Sequence, residues 1–311
     1  MKKHEKEKIV KREPSDIKNK LKRQEIVVRK RQAKEEERTI ERLKKKKVRE
    51  ELGEAAMPRG KTNTIESMRV ADETLIEDAE DEDIKGEQEI DEFASYFKNQ
   101  TTPKIIMTTN RRPKGGIFQF MKEIKEAIPN VEYYERKNFK VKDIIEWAKN
   151  RGYTDLLLWY EKHGTPHTLI MSHLPEGPTA TFRVSGAKLR DSLPNHGRPT
   201  SHDYSPELIL NNFDTMTGHR IGRMLAAMFP QTPNFHGRRV ITMHNQRDFI
   251  FFRHHRYEFT PDGQRANLQE CGPRFTLKLH SLQLGTLDSR FGEYEFIYKP
   301  RMGVNRKQMY L

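Results

Sequence analysis

A chain of 311 residues could hold one large domain or two small ones, but 33% of it is charged, 34% is hydrophobic and its mean hydropathy is −0.92, which excludes a globular fold running from end to end. The net charge of +13 is segmented: residues 1–50 carry 21 Lys and Arg against 10 Asp and Glu, residues 51–100 carry 5 against 15, and the remaining 211 carry 32 against 20. The part expected to fold is therefore basic by itself, which points to an anionic partner, with nucleic acid favoured because each phosphate neutralised releases counterions.

From Pro14 to about Leu52 the chain is rich in Lys, Arg, Glu and Gln, with thinly spaced apolar residues at Leu21, Ile26, Val27, Val28, Ile40, Leu43, Val48 and Leu52. Residues 1–52 are thus predicted to form a basic extension, helical on a partner or disordered alone. Within it Lys44, Lys45, Lys46 and Lys47 make either an RNA-contacting or import patch or simply a solvated helix face. Residues 53–100 are predicted to be an acidic, largely disordered linker, opening on Gly53, Pro58 and Gly60 and crowded with Glu77, Asp78, Glu80, Asp81, Glu82 and Asp83.

After Pro103 the pattern changes to alternating strands and helices, and residues 101–300 are predicted to form an α/β layered domain. Strands are expected at Lys104–Thr108, Val131–Tyr134, Leu156–Tyr160, Thr168–His173 and Ala180–Ser185, and helices over 117–128 and 141–150. Pro206 suggests the first turn of a helix carrying Leu208, Ile209, Leu210 and Phe213, followed by another from Gly218 to Phe229 in which Arg220 and Arg223 share a face. Sheet is expected again from Val240 to Phe259, Arg274 to Leu279 and Tyr294 to Tyr298, with a short basic tail over 301–311.

No phosphate-binding loop, dinucleotide fingerprint, zinc-protease or nucleophile-elbow motif occurs. Cys271 is the only cysteine, so neither an internal disulfide nor a thiolate-rich zinc site can form within the chain. His163 and His167 flank Gly164 and Pro166 and read as turn residues, while His254 and His255, adjacent in a strand, must point to opposite faces. No catalytic residue, metal or cofactor is assigned. No run of about 18 apolar residues appears, and the opening Met1, Lys2, Lys3, His4, Glu5 lacks the apolar stretch of a secretory signal, so a soluble intracellular protein with no membrane partner is expected.

The most informative segment is GRRVITMHNQRDFIFFRHHRY, from Gly237 to Tyr257. It reads as two strands meeting at a polar turn over Asn245–Asp248, with Phe249–Phe252 buried on both faces and Arg253, His254, His255 and Arg256 emerging toward water. Arginine can fork onto phosphate or stack on a base, and Asn and Gln can read base edges. Arg238, Arg239, Arg247, Arg253, Arg256 and Arg274 are the expected phosphate or stacking contacts, with Asn245, Gln246 and His254 as base contacts. Phe249 and Phe251 are expected to hold the hairpin in the core. The alternative is a buried hairpin whose cations pair with the acidic linker.

This segment resembles the sigma-factor-like signature of the Brix-domain family, and three further blocks resemble other motifs of that family: His173–Ala180, Glu207–Phe213 and Gly272–Leu279. The resemblance covers about residues 101–300. It implies a fold of two similar α/β halves related to the anticodon-binding domain of some aminoacyl-tRNA synthetases. It also implies a nuclear and nucleolar location, binding of precursor ribosomal RNA without catalysis, and protein partners inside a ribosomal precursor. Asp91–Phe97 and the ending near Tyr310 resemble a branch of the family that acts on the large subunit. Cys271 departs from the pattern where an aliphatic residue is expected.

Overall fold

The computed structural model describes residues 19–52, 63–70, 74–76, 82–200, 204–288, 291–305 and 307–311. Pro14, the Gly53, Pro58 and Gly60 stretch, and the acidic residues Glu77, Asp78, Glu80 and Asp81 lie outside them. The chain divides into two compact units, residues 1–67 and 68–311. The first contains α1 (Lys20–Leu52), a 33-residue helix. Pairs one turn apart decorate its surface, Lys45 with Glu41 at 2.7 Å and Arg29 with Glu25 at 3.7 Å, which is the local support a polar helix can draw on.

The second unit is built on one mixed sheet of eleven strands. Its first half runs β1 (Ile105–Thr109), α4 (Gly116–Ala127), β2 (Val131–Tyr133), α5 (Val141–Asn150), β3 (Asp155–Lys162), β4 (Thr165–His173) and β5 (Thr179–Lys188), after the short helices α2 (Glu82–Ile90) and α3 (Ala94–Phe97). Its second half runs β6 (Glu207–Asn211), α6 (Met216–Ala227), β7 (Arg239–Gln246), β8 (Phe249–Phe259), β9 (Ala266–Glu270), β10 (Arg274–Gln283) and β11 (Tyr294–Ile297). In each half a strand lies parallel to one that leads into antiparallel strands: β1, β3, β4, β5 in one, with α4, β2 and α5 between β1 and β3, and β6, β7, β8, β10 in the other, with α6 between β6 and β7. The halves join where β5 pairs antiparallel with β10, giving the order β2-β1-β3-β4-β5-β10-β8-β7-β6. Mixed α/β architecture with two similar halves is thus what the chain adopts.

Strand alternation divides the sheet into two faces. One is apolar and packs against α4 and α6. Its centre is an aromatic cluster drawn from both halves: Phe120 of α4 lies 5.1 Å from Trp159 of β3, Trp159 lies 5.7 Å from Phe275 of β10, and Phe275 stacks on Phe252 of β8 at 4.4 Å. On the other face Ile144, Ile145 and Ala148 of α5 cover Ile106 and Leu156.

Three expectations need correction. Glu207–Asn211 is a strand rather than a helix, because β7 offers it a parallel partner from Val240 to His244 and a run of only three apolar residues, Leu208–Leu210, is decided by pairing, not propensity. The helix after it begins at Met216, where the side chain of Thr215 caps the Gly218 amide at 2.9 Å. The expected linker also overlaps the folded unit. Phe93 and Tyr96 are buried, packing their rings 5.0 and 5.4 Å from His173, while Asp91 and Glu92 pair with Arg223 and Arg220. These acidic residues are held by the arginine face of α6, a long-range match that no local pattern shows.

Thr215 is fully buried, and its hydroxyl also donates to the Tyr310 carbonyl at 2.8 Å, so the cap ties the 301–311 tail to α6. Thr215→Ala is expected to lower unfolding free energy by about 1–2 kcal/mol in a denaturant titration. An unchanged midpoint would contradict that role.

Candidate nucleic-acid interface

The hairpin of β7 and β8 turns at Arg247 and Asp248, with φ of 54° and 64°. Two positive φ values at the central residues mark the turn that matches strand twist. Asp tolerates this region and Arg adopts it uncommonly. The turn is therefore two residues, and Asn245 and Gln246 belong to β7 instead. Asp248 secures it: its carboxylate accepts from the Tyr310 amide at 2.7 Å and the Leu311 amide at 3.0 Å. Burial pushes its pKa up while those two amides pull it down.

The register then sorts the expected site residues. Arg239, Asn245 and His254 face the helix-covered side and are buried, at 2%, 4% and 0% exposure. The Arg239 guanidinium donates to the Glu126 and Ala127 carbonyls at the end of α4, to the Tyr204 carbonyl at 3.0 Å, and through Nε to Nε2 of His254 at 3.3 Å. His254 completes the chain with Nδ1–H on the Gly272 carbonyl at 2.9 Å. Burial, and then the charge of Arg239, press the His254 pKa down to about 3, so the ring is neutral. Asn245 donates from Nδ2 to the Asn212 carbonyl at 2.7 Å. Contact with RNA was expected of these three; their burial and internal partners make them braces of the fold instead.

The others reach the surface. Arg247 and Gln246 are exposed at and beside the turn. Arg238 sits in left-handed conformation at φ 46°, 3.6 Å from Glu258 in a mutually exposed pair of little energetic weight. Arg256 is exposed, with Nη1 3.4 Å from the Arg198 carbonyl. Arg274 forks onto Glu270, Nε to Oε1 at 2.8 Å, and that bond raises its pKa. Arg253 is half-buried, donates to the Phe252 carbonyl at 2.8 Å and lies 5.6 Å from the Phe251 ring; burial, and then Arg274, lower its pKa. Lys44, Lys45, Lys46 and Lys47 are exposed on α1.

On the sheet face opposite α4 and α6, the pairing brings together residues that are far apart in sequence. Arg183 of β5 stands opposite Lys278 of β10, and Lys278 opposite Phe249 of β8. Phe251, Arg253 and His255 continue that row along β8, and Arg274 and Thr276 along β10. Lys278 Nζ lies 4.9 Å from the Phe249 ring and 4.2 Å from that of Tyr298. The Phe249 side chain is 38% exposed and Phe251 half-buried, whereas Ile250 and Phe252 fill the core. Phe249 and Phe251 therefore lie on the polar face, against expectation. Arg183, Lys278 and Tyr298 were missed: the period-2 alternation of β8 could have placed the phenylalanines, but the strand pairing that adds the rest leaves no local trace.

Among the described residues no group of three or more His, Cys, Asp or Glu could hold a metal ion, and no helix is long and apolar enough to cross a membrane. His163 and Gly164 form a hairpin turn, with φ of 56° and 83°.

A Brix domain profile matches residues 110–281. Ribosome production factor 1 of Pongo abelii is 47% identical over 299 residues, covering 96% of this chain and 84% of that protein. Ribosome production factor 1 of Saccharomyces cerevisiae is 42% identical over 302 residues, covering 95% and 98%. The crystal structure of a probable ribosomal biogenesis protein from Aeropyrum pernix K1 is 16% identical, covers 62% of this chain and all of its own, and superposes with a TM-score of 0.41.

Proposed function

The chain belongs to the Brix-domain family of ribosome-biogenesis proteins, and from that premise we propose that it serves large-subunit assembly by holding precursor ribosomal RNA on the polar face of its sheet, without a catalytic step. The observation that carries this reading is the row Arg183, Lys278, Arg253 and Arg274 interleaved with Phe249, Phe251 and Tyr298. Aromatic rings spaced by cations suit single-stranded or irregular RNA, whose bases stack while its phosphates are neutralised. The Arg239 and His254 brace fixes β8 against α4, so the row is presented on a rigid element. Arg247, Gln246, Arg238 and Arg256 extend the contact around the hairpin, and Lys44–Lys47 on α1 supply a separate cationic segment for RNA or protein. The setting is the nucleolus, and the partners are assembly factors and ribosomal proteins of the large-subunit precursor.

Arg253→Ala with Lys278→Ala tests the face directly. The double variant is expected to lose at least about tenfold in affinity for single-stranded RNA at 0.1 M salt, and its slope of log affinity against log salt should fall by about 1.4, at roughly 0.7 per phosphate contact. A folded double variant with unchanged affinity and slope would remove the polar face from the account.

A further inference from the structure

At the opposite edge of the sheet, beyond α5, a cleft of about 240 Å³ lies between β1, the end of β2 and α5. One wall is fixed. The hydroxyls of Tyr134 and Tyr153 both donate to Glu132, at 2.8 and 2.5 Å, and Lys104 Nζ sits 4.3 Å from the Tyr153 ring. The other wall is the edge-to-face pair Phe139 and Trp147, 4.9 Å apart and 47% and 44% exposed. The loop that presents Phe139 is itself held, because Arg136 Nε donates to the Phe139 carbonyl at 3.1 Å. The lining also includes Thr108, which is 2% exposed and whose hydroxyl has no hydrogen-bond partner. A buried hydroxyl without a partner is costly, and it marks where a ligand's polar edge would be satisfied. The charged side chains of the lining are Arg136, Arg151 and Glu135, and Lys137 and Lys140 of the loop that carries Phe139 are exposed.

We propose that this cleft takes a single unpaired nucleobase of an RNA strand. The space is below the roughly 300–1,000 Å³ of small-molecule sites, so it suits one planar ring system better than a cofactor. Aromatic walls favour stacking whatever the base, the Thr108 hydroxyl offers one hydrogen bond to its edge, and the basic rim neutralises the flanking phosphates. A peptide side chain could fill the same apolar space, but it would leave the cationic rim unanswered. By register Thr108 lies on the same sheet face as Leu158, Ile170 and, one pair further along β4 and β5, Arg183. One RNA could thus be gripped at two places on one face.

The chain carries two tryptophans, and Trp159 is buried at 1% exposure, so a change in exposed tryptophan emission reports Trp147. The full chain would be titrated with six-nucleotide oligo-U and oligo-A RNA and with an abasic oligomer of equal charge, reading Trp147 emission and oligomer anisotropy together. Saturable quenching by the base-bearing oligomers alone is expected, with Phe139→Ala weakening that binding about tenfold. Thr108→Val keeps the side-chain shape and should keep the fold while also weakening the binding that quenches. The proposal is overturned if Trp147 emission stays constant while anisotropy reports binding, if the abasic oligomer quenches equally, if no oligomer binds, or if both variants bind as tightly as the parent. Because the signal is local to Trp147, loss of binding on the Arg253 and Lys278 face leaves it readable, and the two surfaces fail separately.

Discussion

Replacing Arg239 by Ala is expected to lower the unfolding free energy by about 3–5 kcal/mol, because several buried acceptors lose their donor at once and each stranded polar group costs roughly 1–3 kcal/mol. Arg239 is 2% exposed, and its guanidinium serves the Glu126, Ala127 and Tyr204 carbonyls as well as His254. The last carbonyls of a helix have no partner within it, so the α4 carbonyls would be stranded in the interior without this donor. Lysine keeps the charge but lacks the fork, so Arg239→Lys should restore less than half of the loss. Chemical denaturation measures both. A loss below about 1 kcal/mol would mean that Arg239 is not a brace and would return it to the set of RNA contacts.

Acid should weaken the protein through the neighbour of Arg239. The His254 pKa falls from an ordinary 6.5 to about 3 on folding, because burial and then the adjacent guanidinium disfavour the charged ring. Between those values the unfolded chain binds the proton and the folded chain does not. Stability from this residue is fully present above pH 6.5 and is lost as pH falls toward 3, with a slope of about 1.4 kcal/mol per pH unit in the middle of that window. His219 and His255 are also lowered by burial and act in the same direction, while the raised Asp248, Glu123 and Glu295 oppose them. The contribution of His254 is therefore isolated by comparison with His254→Gln between pH 4.5 and 5.5. The parent should show the steeper dependence by about 1.4 kcal/mol per unit, and parallel curves would refute the shift.

The two halves of the sheet could be anticipated only through the family motifs, because β1 to β5 and β6 to β10 share topology without an evident sequence repeat. Helices α4 and α5 were legible from Phe120, Ile124, Ile144 and Ala148 at helical spacing, since one face of each meets a single apolar layer. Leu208–Leu210 misled because its conformation is set by β7, some thirty residues later. At the site, the basic character of the hairpin was visible, but the division of its cations was not. His254 and His255 had to face opposite ways, yet only the position of α4 decides which one is sealed beneath it. Arg238 and Arg239 are adjacent, and one is exposed while the other is a core residue. Lys278, Phe249 and Arg183 meet through two strand pairings, one spanning about 30 residues of sequence and the other about 95, and no local pattern encodes that neighbourhood.

Binding of large-subunit precursor RNA to the polar face of the sheet is the proposal on which the assembly role rests. It is tested most directly by ultraviolet crosslinking in cells, with sequencing of the RNA attached to the purified chain, for the parent and for Arg253→Ala with Lys278→Ala. Crosslinks concentrated in large-subunit precursor RNA, and strongly reduced in the double variant, are the predicted result. Crosslinks in small-subunit precursor RNA, or a pattern untouched by the double variant, would contradict it.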